Sequence, residues 1–136
     1  LWMGTCAGCA LIPLVGAFRC ENAYTGQMWE GNEAVRLPFH QDATTPGGIA
    51  VDTGGHKVDL QAIDWDVEDA GRCLGVTVRH CGLRVLVSDK LPPHVAGALQ
   101  SPGTMVVRPS LWALRHEALH MLSGDPTHKP HARCGL

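Results

Sequence analysis

Apolar positions recur at helical spacing in two stretches of this chain and gather into strand-like runs in others. Between Asp64 and Gly75, Trp65, Asp69 and Cys73 stand four apart, while Val67, Ala70 and Leu74 follow the i, i+3, i+7 pattern of an amphipathic helix. Asp64 is placed to cap that helix, Asp66, Glu68 and Asp69 suit its N-terminal end, and Gly75 is placed to stop it. Gly82 to Ser88 is β-branched and apolar and is closed by Asp89 and by Pro92-Pro93, which predicts a strand; Val76-Thr77-Val78 predicts a shorter one before it. Gly103 to Arg108 predicts a further strand that runs directly into Pro109-Ser110. Ser110 then caps a second helix over Leu111 to Leu122, with Leu111, Leu114, Ala118 and Met121 or Leu122 as its apolar stripe. Gly124 offers a left-handed cap, and Pro126 prevents continuation.

Upstream, the pattern loosens. Residues 21–58 carry turn chemistry at Asn32, Pro38, Thr44 to Gly48 and Thr53 to Gly55, and are expected to be an irregular region or a tether with at most weak strands. Leu1 to Phe18 is apolar, but it is too short and too broken by glycines and Pro13 to span a bilayer. It reads as the apolar core of a secretory signal, so residues 1–20 are expected to be the remnant of a signal peptide or lipoprotein signal. Ala7-Gly8-Cys9 matches the end of a lipobox, with Cys6 where that motif prefers an aliphatic residue, and makes Cys9 the lipidation candidate. The expectation is an exported protein, periplasmic or at the cell surface, with membrane attachment through a lipidated N-terminus left open; the alternative for Leu1 to Phe18 is an ordinary N-terminal strand of the core.

Composition narrows the classes further. At 136 residues and 45% hydrophobic content, one domain with a true core is the default. The net charge of -2 and the absence of a basic stripe argue against a nucleic-acid partner. In an exported chain, Cys20, Cys73, Cys81 and Cys134 are candidates for disulfides, and all three pairings stay open. A bridge from Cys134 would anchor the tail that follows the second helix.

That helix contains His116-Glu117-Ala118-Leu119-His120. Histidines four apart project from one face and can share one zinc ion. The glutamate beside the first of them is the base that activates the attacking water in HExxH enzymes. With eight histidines in the chain, shuffling yields HExxH about 0.02 times per sequence, and the helical context behind a strand adds weight. A catalytic zinc needs a third protein ligand. No glutamate follows His120 in this sequence, and the spacing departs from HExxHxxGxxH, so Asp125, His128, His131 and Cys134 remain as candidates. His128 is the expected third ligand, because the Gly124–Pro126 turn can swing it back under the helix. Asp125 is the alternative ligand, or it orients a histidine from behind. His131 is an alternative ligand, a proton donor to substrate or a surface residue. His40, His56, His80 and His94 are expected at the surface. Arg108 and Arg115 are expected in solvent or paired with the acids of residues 64 to 69, with oxyanion stabilisation as their functional reading.

Trp65, Cys73-Leu74-Gly75, Val85-Leu86-Val87, Arg115-His116-Glu117-Ala118-Leu119-His120-Met121-Leu122, a Gly-Asp turn, His128 and Cys134-Gly135 together resemble small exported bacterial zinc metallopeptidases of zincin-like type, many of them lipoproteins. The resemblance covers about residues 60 to 136 and is specific at the helix and the tail. Where those proteins place His-Pro and an aromatic residue before the last cysteine, this chain has His128-Lys129-Pro130 and no aromatic. The resemblance implies peptidase activity and names no substrate. The expectation is therefore an α+β fold, with residues 59–136 as a minimal zincin-like domain, a small sheet packed on the HExxH helix and one further helix. Zn2+ would be held by His116, His120 and His128, with Glu117 as catalytic base and a peptide or protein as substrate. The alternative is an exported zinc-binding or interaction domain without catalytic activity.

Overall fold

The structure, a computed structural model, describes Tyr24, residues 36–100 and residues 103–134. The expected export segment, with Cys6, Cys9 and Cys20, lies outside the described residues. No described helix is long and apolar enough to cross a membrane.

The fold is α+β. Among the described residues, strands β1 (Ala43–Thr44), β2 (Ala50–Asp52), β3 (Arg84–Val87), β4 (Gly97–Gln100) and β5 (Thr104–Val107) form one sheet in the order β1-β2-β3-β5-β4. Helices α1 (Leu60–Leu74), α2 (Leu114–Ser123) and α3 (Lys129–Arg133) accompany it. β2, β3 and β5 run parallel, whereas β1 and β4, at the two edges, are antiparallel to their neighbours.

Strand alternation divides the core into two layers. Val51, Val85, Val87, Leu99, Met105 and Val107 pack with Ile63, Val67 and Ala70 of α1 and Leu114, Ala118, Leu119 and Met121 of α2. The intervening Leu86, Ala98 and Val106 meet Leu91 on the other face, with Leu37, Phe39 and Val95 against them. A parallel pair covered on both faces reads as a continuous apolar run, which is why β3 and β5 stood out in the sequence. Arg108 serves this second layer: its guanidinium donates to the carbonyls of Leu91, Pro92 and Val95 and fixes the loop between β3 and β4. It is therefore neither paired with the acids of residues 64 to 69 nor aimed at the histidines.

Several sequence expectations are corrected. The region expected to be irregular contributes β1 and β2, so the sheet begins well before residue 59, and Tyr24 is buried in the same core. α1 starts a turn earlier than expected, because the Asp59 side chain accepts the N–H groups of Gln61 and Ala62 and is the true cap. Asp64 lies inside the helix, buried, and accepts the Gly47 N–H at 2.6 Å. Val76 to Val78 forms no strand; a 3-10 turn at His80–Gly82 leads into β3 instead. α2 begins at Leu114 rather than Leu111 and has no side-chain cap. Leu111 takes φ 63°, a left-handed conformation that costs a leucine about 1–2 kcal/mol, and bends the chain between β5 and the helix. At the other end the expected cap is present: Gly124, at φ 69°, donates its N–H to the His120 carbonyl.

Candidate metal centre

α2 packs on β4, β5 and α1, and this fixes the direction in which its polar face looks. His116 and His120, one turn apart, have ring centroids 5.0 Å from each other. Gly124 ends the helix, and the chain turns back so that α3 lies against α2. His128, at the start of α3, and His131, three residues on, share one side of that short helix. Two pairs of histidines therefore meet across a helix–helix contact. A ligating atom from each of the four lies within 4.8 Å of the others.

The four are not equivalent. His131 is 3% exposed, and its ring is 4.0 Å from His116 and 4.3 Å from His120. His128 is exposed, with its ring 5.3 Å from each of the same two. This corrects the surface reading of His131. Its Nε2 faces the His116 carbonyl at 2.9 Å and must donate there, since a carbonyl only accepts. The proton is thereby fixed on Nε2, which leaves Nδ1 as a lone pair. That Nδ1 is buried and has no hydrogen-bond partner. His120 is oriented in the same manner, with Nδ1 donating to the Asp125 carbonyl at 2.9 Å and Nε2 left unprotonated.

Asp125 therefore acts through its main chain. Its carboxylate accepts from the Thr127 N–H and hydroxyl, which hold it below the usual carboxylate range, and it is not among the converging groups. Cys134 is not a ligand either, because it is bonded to Cys73, 61 positions away in sequence; Cys81 is also disulfide-bonded. The expected anchor of the tail is thus present. Arg115 adds to it by donating to Asp69 at 2.6 Å and to the Cys134 carbonyl at 3.2 Å, which ties α1, α2 and the tail together.

Burial, with the neighbouring His131, His120 and His128, pushes His116 down to about 4. Burial likewise lowers His120, against the opposing pull of its Asp125 hydrogen bond. Neutral imidazoles are the form that binds a metal. Glu117 is 7% exposed, and burial raises its carboxyl to about 7. It sits against the edge strand, where a Cβ on Gly97 would lie 2.9 Å from its Cγ and 3.0 Å from Oε2.

His116, Glu117, His120 and His128 were legible in the sequence, and the structure groups the three histidines as expected. The inward position of His131 was missed, although the i, i+3 spacing of His128 and His131 was its signal. Gly97 had no sequence signal. A cavity of about 360 Å3 lined by Leu37, His40, Asp52, His56 and Asp89 touches none of these residues. His40 and His94 are exposed, and His56 pairs with Asp89 at 3.3 Å.

No family model, no curated protein and no solved structure matches this chain.

Proposed function

We propose that the protein is a zinc-dependent hydrolase of zincin-like type that cleaves amide bonds in peptides or proteins. The single observation that carries this reading is the buried His131, whose Nδ1 has no hydrogen-bond partner, in a group where His116, His120, His128 and His131 each bring a ligating atom within 4.8 Å of the others. An orphaned imidazole lone pair is costly to bury, and a metal shared with His116 and His120 would satisfy it. All-nitrogen imidazole donors suit Zn2+. His116, His120 and His131 would form the inner set, and His128, on the exposed side, would close a fourth position or yield it to substrate.

When bound, zinc would polarise the scissile carbonyl and acidify the attacking water. Glu117 takes the proton of that water and returns it to the departing amine. A carboxyl held near neutrality by burial can do both. Among the described residues β4 is an edge strand beside Glu117, the position where an extended peptide substrate would add to the sheet. Its glycine keeps that edge close to the base. Gly97→Ala should push Glu117 out of position, cutting turnover by roughly 100-fold with zinc content unchanged. Unchanged turnover would remove Gly97 from the site. The disulfides agree with the expected export, since such bonds persist in oxidising compartments.

The direct test is metal analysis of protein purified without chelators, with casein hydrolysis followed before and after 1,10-phenanthroline. Zinc bound in the wild type, lost in His116→Ala, with hydrolysis lost and regained alongside the metal, is the expected result. Zinc retained by His116→Ala would defeat the assignment. The fourth histidine favours one other reading, a closed structural zinc in an exported binding domain. Zinc binding without turnover of any peptide would select it.

A further inference from the structure

A second convergence of donor groups lies on α1, apart from the four histidines. Asp64 and Glu68, four residues apart on one face of α1, meet His80 from the 3-10 turn before β3. One ligating atom of each lies within 4.8 Å of the other two. His80 Nε2 and Glu68 Oε2 are hydrogen-bonded at 2.9 Å, a contact that a bound cation would replace. Two donors in adjacent positions of an octahedral site, with bonds near 2.1 Å, stand about 3 Å apart.

Asp64 makes this more than a surface cluster. It is 5% exposed, its Oδ2 takes the Gly47 N–H, and its Oδ1 is buried with no hydrogen-bond partner. A buried carboxylate oxygen left without a partner is costly, and a bound cation would meet it. The backbone also keeps the space clear. A Cβ on Gly47 would lie 2.8 Å from His80 Cδ2 and 2.9 Å from Asp64 Oδ1. Glu68 and His80 line a cavity of about 310 Å3 together with Arg72, Val76, Thr77 and Val78, through which an ion and its waters could reach the site.

We propose that Asp64, Glu68 and His80 bind a second divalent cation of the manganese class. Two carboxylates and one imidazole form a harder donor set than four imidazoles, so it prefers Mn2+ where the histidine cluster prefers Zn2+. The ion would clamp α1 to the Gly47 loop and to the turn that leads into β3, a structural role distinct from the hydrolytic centre.

Mn2+ titration followed by the electron paramagnetic resonance of the free ion tests the assignment on the intact chain, with circular dichroism to show that each variant is folded. Wild type should bind one Mn2+ per chain and melt at a higher temperature with it. Glu68→Gln and His80→Ala, both at partly exposed positions, should weaken Mn2+ at least tenfold and lose the thermal shift. Gly47→Ala should do the same by filling the space. His116→Ala should bind Mn2+ as the wild type does. Absence of Mn2+ binding by wild type, equal binding by folded Glu68→Gln, or loss of binding in His116→Ala would each overturn the proposal.

Discussion

Glu117→Gln should lower hydrolysis by about 1,000-fold or more while zinc content and fold are kept, because glutamine has the same shape but cannot carry the proton. The same substitution should stabilise the metal-free protein at alkaline pH. Glu117 ionises near 7 in the folded chain, against 4.5 for the free carboxyl. A raised value means that folding favours the protonated acid. Its stabilising contribution is full below 4.5 and is lost as pH rises through 7. Above 7 the buried carboxylate costs about 3 kcal/mol, by the linkage between proton affinity and folding. Urea unfolding of chelator-treated proteins should therefore favour Glu117→Gln by about 2–3 kcal/mol at pH 8 and by little at pH 4. Equal stability at pH 8 would mean that the carboxylate is already compensated. Turnover by Glu117→Gln at the wild-type rate would remove Glu117 as the base. A destabilised group at the proposed reacting centre is the trade expected where function opposes stability.

What the sequence disclosed depended on how local each cause was. The histidine pair of α2 and the Gly124 cap follow from spacing along a few residues, and both were legible. β3 and β5 were legible because burial on two faces leaves nothing polar in Val85-Leu86-Val87 and Met105-Val106-Val107. β4 was not, since Gly97-Ala98-Leu99-Gln100 holds no β-branched residue and is a strand only because β5 pairs with it. β2 is three residues long and reads as part of a glycine-rich loop until β3 lies beside it. Two aspartates five apart could each begin α1; Asp59 does so because its carboxylate faces the helix N–H groups, while Asp64 turns to the Gly47 loop. The same limit applies to the site. Spacing identified His128 and His131 as candidates, but which imidazole turns inward depends on where α3 is held.

What holds α3 is the basis of the second large effect. Cys73 at the end of α1 and Cys134 just past α3 close a loop with a sequence separation of 61. By chain entropy alone, a crosslink over that length destabilises the unfolded chain by about 4 kcal/mol. Cys73→Ser combined with Cys134→Ser should cost most of that in the metal-free protein. It should also weaken zinc, because among the described residues the tail is otherwise tied by the His131 bond to the His116 carbonyl, the Arg115 bond to the Cys134 carbonyl and the packing of α3 on α2. Without the bridge, the metal must pay for ordering His128 and His131, and competition with a chelator should register at least a tenfold loss of affinity. The two effects are coupled with opposite consequences. A zinc held by histidines of both α2 and α3 is itself a crosslink, so saturating zinc should recover part of the lost stability. The same recovery should be absent in the double serine variant that also carries His116→Ala. Zinc affinity unchanged by removal of the disulfide would mean that helix packing alone positions His131, and the bridge would then serve only stability.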